Sequence, residues 1–458
     1  MKSFSPQQRL VLIVSILASF ISFLDGFVVN VALPAIVHEL GGGLITQQWI
    51  VNAYLLTLGS LMLIAGSLSD IFGRIRILYF GLIGFGLASV LCAVAPNELF
   101  LIIARGIQGA AGALLVPSSL ALIMSSFNGP KEGKAIGIWT SWTVVAAVMG
   151  PLLGGFLIDV SSWRLIFAIN IIPIVVTLWL MKSLKPITET AERAKVDGIG
   201  ALLCAVGLGG ITYALIEQPN LGWLHPLIIG SAGLGIITFA LFIWYEKRIA
   251  HPILPLSLFA NRNFAAGNIA TTFIYGGLAL SSFVVTIFIQ QIAGFSAFAA
   301  GLTFLPVTVL MFVLSSYFGG LAGKYGPRLF MTVGPFIAGA GFLLMLGADS
   351  TVNYWTDLLP GVICFGLGLS ITVAPLTSAI LGSISSRQSG IGSAINNAVS
   401  RIAGLVAIAF IGVIAGPTLS VGGFHAGLVF TAILLFAGGI VSALGIKNSL
   451  VTSRPSDG

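Results

Sequence analysis

The sequence predicts an all-α polytopic membrane protein with 14 transmembrane helices. Three observations support this fold class. Only 8% of the 458 residues are charged and 57% are hydrophobic, whereas about a quarter of the residues in a soluble domain are charged. Apolar runs of about 20 residues, the length that crosses a bilayer as a helix, recur along the whole chain. The basic residues fall in alternate gaps between these runs.

The apolar runs define the predicted helices in order. Each is a continuous hydrophobic stretch bounded by charged, proline-rich or glycine-rich residues, and none shows the alternating pattern of a membrane β-strand. The first run contains Asp25 and is too long for a signal peptide, so it is predicted to stay in the mature protein. The predicted spans are 10–36, 46–69, 76–95, 98–126, 135–158, 163–181, 198–217, 226–245, 264–290, 300–322, 329–347, 355–380, 388–415 and 424–446.

The placement of the basic residues predicts the orientation. With the N-terminus inside, 18 of the 21 lysines and arginines face the cytoplasm, and the few charged residues of the outer loops are mainly acidic. This is the positive-inside pattern, and one missed span would disrupt it. We therefore expect a multi-pass protein of the inner (cytoplasmic) membrane with both termini in the cytoplasm. The net charge of +7 orients the chain and indicates no nucleic-acid partner.

Two polar links divide the predicted spans into three sets. Residues 182–198 follow six spans, and residues 245–264 precede the last six. The segments "GSLSDIFGRIR" (66–76) and "GGLAGKYGPR" (319–328) echo each other at corresponding positions of the two sets, as in transporters built from repeated halves. The predicted parts are a six-helix bundle (1–185), an inserted helix pair with its links (186–262), a second six-helix bundle (263–447) and a cytoplasmic tail (448–458).

Four motifs give the sequence a family resemblance. The loop 66–76 and "LIIARGIQGAAGA" (101–113) resemble the first-loop and fourth-span motifs of the major facilitator superfamily. "GIWTSWTVVAAVMGPLLGG" (137–155) resembles the fifth-span motif of its proton antiporters. "LDGFVVNVALPAI" (24–36) resembles the first-span motif of its 14-span drug:proton antiporter branch. The resemblance implies the major facilitator fold, export of drugs in exchange for protons, and a working monomer.

Four positions depart from the family pattern. Phe27 stands where the antiporter branch usually has threonine, close to Asp25. Ala146 replaces a glycine of the fifth-span motif, Ile71 replaces an arginine of the first loop, and Gly323 replaces an acidic residue of the second loop. Only Phe27 bears on the type of substrate.

Two charged residues inside predicted spans are candidates for proton coupling. Asp25 lies about midway along the first span, where an ionised carboxylate costs a few kcal/mol and is expected to serve a function. Arg105 lies in the fourth span, stays charged and needs an acceptor. An arginine that competes with protons for a carboxylate would couple the two events. Arg401 in span thirteen is the corresponding buried cation of the second half and is predicted to take part in the conformational change. Structural roles for all three residues remain alternatives.

Small residues in the fifth span predict a close helix contact. Ala146, Gly150 and Gly154 recur at every fourth position, Gly155 follows, and Pro151 kinks the helix. A smooth, kinked surface suits a gate against the other bundle, and an ordinary static interface is the alternative. We expect the two loop motifs to act as conformational latches, through Gly66, Asp70, Gly73, Arg74 and Arg328.

Polar and aromatic residues inside the spans are candidates for a substrate cavity. An apolar pocket with few polar groups suits a lipophilic ligand, and aromatic rings with one carboxylate suit a cation. Each residue considered alone is more often a packing residue than a ligand contact. The candidates are Asn30, Tyr54, Gln108, Trp139, Trp142, Asn170, Asn268, Tyr275, Gln290 and Asn397.

These features predict a proton-driven antiporter that exports lipophilic, cationic or neutral small molecules and needs no cofactor beyond the coupling proton. Its other predicted partners are protons and membrane lipid. A proton symporter or uniporter for a nutrient is one alternative, and a polytopic membrane enzyme or receptor is another. The four histidines are scattered, the three cysteines are isolated, and the sequence shows no metal-ligand spacing, nucleophile constellation or phosphate-binding loop.

Overall fold

The protein is described by a computed structural model that covers residues 4–127, 129–184, 197–250, 252–385 and 388–448. Over these ranges, 13 helices are long and apolar enough to cross a membrane, and the shorter apolar segment Leu165–Met181 matches the sixth predicted span. The prediction of an all-helical membrane fold is confirmed. The helices are α1 Pro6–Leu40, α2 Leu44–Phe72, α3 Arg74–Ala93, α4 Glu98–Gly112, α5 Leu115–Ser126, α6 Pro130–Val160, α7 Leu165–Ala168, α8 Ile171–Met181, α9 Gly198–Leu221, α10 Pro226–Glu246, α11 Arg262–Ile287, α12 Ala297–Thr303, α13 Leu305–Tyr325, α14 Pro327–Leu344, α15 Leu359–Leu381, α16 Ser389–Ala415 and α17 Val421–Gly445.

Three predicted spans are interrupted within their length. The fourth span breaks between α4 and α5, and the sixth breaks at Ile169–Asn170 between α7 and α8. The tenth breaks at Phe304, where Pro306 lies in the first turn of α13 and cannot donate a backbone hydrogen bond. Such breaks direct polar side chains and backbone groups inward, and one of them positions Asn170 in the site described below.

The two echoing loops adopt the same backbone turn. Gly73 ends α2 with φ 93°, and Gly326 ends α13 with φ 87°. Side chains with a β-carbon rarely adopt this left-handed conformation, so glycine is needed at both positions. The sequence echo therefore has a matching structural feature at the same point of each set of six spans.

The helices pack as two bundles with a helix pair beside them. Within the first bundle (α1–α8), α1 packs on α6 and α2 packs on α4. Within the second bundle (α11–α17), α14 packs on α15, and α11 packs on α16 and α17. Helices α9 and α10 pack on each other, and α9 also contacts α2 of the first bundle and α16 of the second.

The two bundles meet along α2–α16, α6–α12 and α1–α11. We call the end of the molecule where α1 and α6 finish and α12 begins the Leu40 end, and the opposite end the Pro6 end. At the Leu40 end, Gln48 of α2 donates to the carbonyls of Ile408 and Ala409 of α16 at 2.8 and 3.1 Å. Gln290 donates to the carbonyl of Val31 in α1 at 3.0 Å. These contacts hold the Leu40 end closed.

Candidate functional site

A buried ion pair joins α1 to α4. Arg105 Nη1 lies 2.5 Å from Oδ2 of Asp25, and the two side chains are 1% and 0% exposed. The two residues that the sequence predicts for proton coupling are therefore in direct contact. Burying two charges is unfavourable unless their geometry and remaining hydrogen bonds compensate, so the surrounding donors and acceptors decide whether the pair is stable.

Neutral polar groups complete the coordination of the carboxylate. Oδ1 of Asp25 accepts hydrogen bonds from Gln108 Nε2 and from Asn170 Nδ2, each at 2.9 Å. Gln108 Nε2 also donates to Ser89 Oγ at 2.9 Å, and its Oε1 accepts from Arg105 Nη1 at 2.6 Å. The carboxylate thus has three donors from α4 and from the break between α7 and α8.

The guanidinium of Arg105 has partners of its own. Its Nε donates to the carbonyl of Ile50 in α2 at 3.2 Å. The guanidinium carbon, Cζ, lies 4.2 Å from the ring centre of Tyr54 and 5.7 Å from that of Phe167. Aromatic faces stabilise a desolvated cation, so the first bundle holds this arginine in its charged form.

This network is suited to a change of protonation. While Asp25 is ionised, its carboxylate accepts from Arg105, Gln108 and Asn170. A proton on the carboxyl would remove the charge that holds Arg105 and would turn one acceptor oxygen into a donor, which the surrounding donors do not accommodate. Protonation would therefore rearrange contacts between α1, α4 and α8 rather than stay local.

The Arg105→Lys variant is expected to lose at least tenfold, or about 1.4 kcal/mol, in the transport activity that the sequence predicts. A lysine ammonium cannot reach Asp25, Gln108 and the carbonyl of Ile50 together, because it lacks the planar fork of arginine. Transport by purified protein in proteoliposomes measures the loss. The matched control is Arg164→Lys, since Arg164 pairs with Glu39 at the partly exposed Leu40 end. Equal losses in both variants would contradict a special role for Arg105.

The other predicted cavity residues do not gather around the ion pair. Trp139 donates to Ser19 at 3.0 Å within the first bundle, and Trp142 is 44% exposed with its ring nearly perpendicular to that of Phe20. Asn268 is buried in the second bundle, where it accepts from Asn396 at 3.2 Å. Asn30 and Tyr275 are half-buried on α1 and α11, and Asn397 donates to the carbonyl of Ser393 in its own helix.

Arg401 lies between the two bundles and differs from Arg105. The carbon of its guanidinium group lies 5.1 Å from the ring centre of Phe23 on α1, and the neutral phenol groups of Tyr54 on α2 and Tyr275 on α11 lie near it. Its Nε is buried and finds no hydrogen-bond acceptor among the described residues. The centre of the molecule therefore carries one cation balanced by Asp25 and a second cation that no described carboxylate balances.

The glycines of α6 serve two different contacts. A β-carbon on Gly150 would lie 2.9 Å from Cβ of Phe27, and one on Gly154 would lie 2.5 Å from Cγ2 of Val28, so both glycines face α1 of the same bundle. A β-carbon on Gly155 would lie 2.5 Å from the carbonyl oxygen of Ala297 in α12. Gly155 is therefore the glycine that faces the second bundle.

The contact between α6 and α12 is close from both sides. A β-carbon on Gly301 of α12 would collide with the carbonyl oxygen of Pro151 in α6. One turn from Gly155, the carboxylate of Asp159 accepts from the backbone N–H groups of Ala297 and Phe298 at 3.1 and 3.0 Å. We call these groups, Pro151, Gly155, Asp159, Ala297, Phe298 and Gly301, the α6–α12 seam.

The Asp159→Asn variant is expected to weaken the α6–α12 seam by about 1 kcal/mol, because an amide keeps one acceptor and loses the negative charge at the start of α12. Closure of the Leu40 end should then be several-fold less favourable. Spectroscopic distances between spin labels at Val160 on α6 and at Trp355, just before α15, measure the shift at that end. The control is Asp349→Asn, whose carboxylate bonds Thr351 within its own loop. An unchanged distance distribution in Asp159→Asn would contradict the assignment.

The loop residues have local partners in their own bundles. Arg74 donates to the carbonyl of Ala121 at 3.0 Å, and Arg328 donates to that of Ala443 at 2.8 Å. Gly66 has open space around it. Asp70 lies in the last turn of α2, but its side chain lies outside the described residues.

Ser89 is the residue of the network that the sequence did not indicate. It lies on α3, and a serine inside an apolar helix usually bonds to its own backbone. Asn170 was one of ten dispersed candidates, and only the helix break brings it to Asp25.

Comparisons with known proteins agree with this architecture. The family model for the Major Facilitator Superfamily matches residues 15–408. The multidrug resistance protein Stp of Mycobacterium tuberculosis is 33% identical over 420 residues, or 90% of this chain and 77% of that protein. The methylenomycin A resistance protein of Bacillus subtilis is 33% identical over 447 residues, or 95% and 92%.

A solved structure shares the fold. The crystal structure of the peptide transporter POT in complex with sulfate superposes with a TM-score of 0.70 at 16% identity, covering 94% of this chain and 93% of that chain. At this identity the likeness concerns the fold alone. With the family match over most of its length, the chain belongs to the Major Facilitator Superfamily and is a transporter rather than an enzyme.

Proposed function

We propose that the protein is a proton-coupled antiporter that exports lipophilic small molecules across the cytoplasmic membrane. The observation that carries the proposal is the buried Asp25–Arg105 pair with its complete shell of donors. A buried carboxylate inside a membrane protein is expensive and is kept where it serves transport or proton transfer. The names of the relatives, which include multidrug, methylenomycin A and puromycin resistance proteins, support export of drug-like compounds.

The positive-inside pattern supports an orientation with the Leu40 end outside and both termini in the cytoplasm. The closed contacts at the Leu40 end then correspond to an inward-facing state. The two six-helix bundles rock against each other. The helix pair α9–α10 lies beside them and stays in contact with both, because α9 packs on α2 and on α16. The proposal divides the chain after residues 185, 262 and 447 into the first bundle, the inserted helix pair, the second bundle and the tail. The protein works as a monomer in a lipid bilayer.

The transport cycle follows from the network. With Asp25 ionised and paired to Arg105, the inward-facing protein binds its substrate from the cytoplasm or the inner leaflet. The bundles then rock and release the substrate outside, where a proton reaches Asp25. The proton breaks the ion pair, changes the contacts of α1 and α4, and permits the return. A membrane potential of about 100 mV adds about 2.3 kcal/mol for each charge moved.

The charge of the substrate is constrained by the two arginines. The sequence favours cationic or neutral compounds, because aromatic rings and one carboxylate attract a cation. In the structure both oxygens of that carboxylate already have partners, and Arg401 adds a positive charge between the bundles. Of the two classes, we therefore favour neutral lipophilic compounds.

Proton movement in energised inside-out vesicles tests the function. A pH-sensitive dye is followed while lipophilic cations, neutral drugs and anions are added one at a time. Release of protons from vesicles with the protein, and not from vesicles without it, is the expected result. No response across the panel, together with proton-driven solute uptake in right-side-out vesicles, would support the symporter alternative and contradict export.

A further inference from the structure

Two buried carboxyl groups meet where α9 begins and α10 ends. Asp197 immediately precedes α9, Glu246 is the last residue of α10, and the two are 4% and 3% exposed. They lie in the inserted helix pair, and they are separate from the network around Asp25. Neither group contributes to the contacts between the two bundles described above.

One oxygen of each carboxyl has a backbone partner. Asp197 Oδ1 accepts from the N–H of Gly200 at 2.9 Å and so caps α9. Glu246 Oε2 accepts from the N–H of Leu254 at 2.8 Å, in the link that leads to the second bundle. Each group therefore holds a defined piece of backbone.

The remaining two oxygens face each other. A β-carbon built on Gly200 would collide with both Asp197 Oδ2 and Glu246 Oε1, so both atoms border the same small space. Both are inaccessible to solvent, and neither has a hydrogen-bond partner among the described residues. The Glu246 carboxyl lies within hydrogen-bonding reach of the Asp197 carboxyl.

The described groups around the pair do not neutralise it. The hydroxyl of Tyr245 lies beside Asp197, and the thiol of Cys204 on α9 lies near Glu246. Lys247 and Arg248 follow in sequence and are exposed, with the guanidinium of Arg248 stacked on Trp244 at 4.3 Å. Two adjacent buried carboxylates with no cation between them in the described part of the chain cannot both remain ionised without a large cost.

We propose that Asp197 and Glu246 form a second proton-binding site, in which one proton bridges Oδ2 of Asp197 and Oε1 of Glu246. The bridge satisfies both unpartnered oxygens and leaves a single negative charge on the pair. The site is distinct from Asp25 and does not depend on the transport cycle proposed above. Its proton belongs to the pair rather than to either residue.

Loss of this proton would act on the link between α10 and α11. Two negative charges in the same buried space repel, and Glu246 is the group with a side chain long enough to turn toward solvent. That movement would release the N–H of Leu254. The proton therefore keeps Leu254 of the link attached to the helix pair.

Infrared difference spectra between the full-length wild type and each variant in lipid detect the proton directly, because a protonated carboxyl group has a C=O stretching band of its own. At neutral pH we expect that band in the wild type and in Asp25→Asn, and its loss in both Asp197→Asn and Glu246→Gln. Tyr245→Phe should keep the band. A wild type without the band, or a band that survives both Asp197→Asn and Glu246→Gln, would overturn the proposal. A divalent cation bound between two ionised carboxylates would also give no band, and the shared proton would then be ruled out.

Hydrogen–deuterium exchange provides a second measurement. Asparagine caps a helix as well as aspartate, and its amide can donate to Glu246 in place of the proton. With exchange times scaled for the chemical effect of pH, the Leu254 amide should exchange several-fold faster at alkaline pH in the wild type. Asp197→Asn should remove this increase in exchange rate at alkaline pH, and Asp25→Asn should keep it. An increase of equal size in Asp197→Asn would contradict the bridge.

Discussion

The Asp25→Asn variant is expected to abolish proton-coupled transport. Asparagine keeps the size of the side chain but cannot ionise, so proton binding and the Arg105 ion pair are lost together. In the vesicle assay, compounds that release protons through the wild type should release none through Asp25→Asn. Asp25→Glu keeps the charge on a longer side chain and should retain a reduced signal, because the donors from Gln108 and Asn170 no longer fit one oxygen.

The stability of the variant needs a separate control. Removing one partner of a buried ion pair leaves the other charge unbalanced and costs about 3–5 kcal/mol. The double variant Asp25→Asn/Arg105→Gln removes both charges and should recover thermal stability in detergent without recovering proton release. Glu98→Gln is the matched single control, since Glu98 accepts from Thr46 at 2.7 Å outside the network. Proton release by a folded Asp25→Asn protein would rule out Asp25 as the coupling site.

The sequence predicted the parts of the site that carry a large energetic penalty. Asp25 and Arg105 stand out in apolar spans because few kinds of interaction compensate for a buried charge. Neutral polar residues carry no such signal. Ser89 reaches the network from α3, and Asn170 reaches it from a helix break that a continuous apolar run does not reveal.

The sequence does not indicate the Asp197–Glu246 carboxyl pair, for a related reason. Asp197 and Glu246 lie at the ends of predicted spans next to polar links, where acidic residues are usually solvated. Their burial depends on how the link folds back, since Glu246 accepts from Leu254 eight residues later. Likewise, glycine spacing in α6 predicted a close contact, but only the packing assigns Gly150 and Gly154 to α1 and Gly155 to α12.

The Gly155→Ala variant is expected to cause the second large loss of transport. The added carbon would lie 2.5 Å from the carbonyl oxygen of Ala297 and 2.6 Å from Cα of Phe298. Both are backbone atoms, so no side-chain rotation relieves the collision, and the α6–α12 seam must separate. Transport should fall at least tenfold, because the protein can no longer adopt the conformation in which the Leu40 end is closed. The protein should still fold, because α6 keeps its contacts with α1 through Gly150 and Gly154.

Spin labels at Val160 and Trp355, which are 68% and 72% exposed, report the distance across the Leu40 end. The three native cysteines are first replaced by serine. We expect a longer distance in Gly155→Ala than in the unsubstituted background, and a similar increase in Gly301→Ala on the opposite side of the seam. Gly137→Ala in the same helix is the control, since no atom lies within 4 Å of its added carbon.

The comparison with Asp159→Asn separates a gate from a static interface. If the seam only holds the fold together, Gly155→Ala and Asp159→Asn should lower thermal stability in proportion to their transport losses while the label distance stays unchanged. If the seam closes and opens during transport, the distance should lengthen in both variants, and more in Gly155→Ala. Asp159→Asn weakens the closed state by one interaction, whereas Gly155→Ala excludes it sterically. A variant of Gly155 that transports normally with an unchanged distance would remove the seam from the transport cycle.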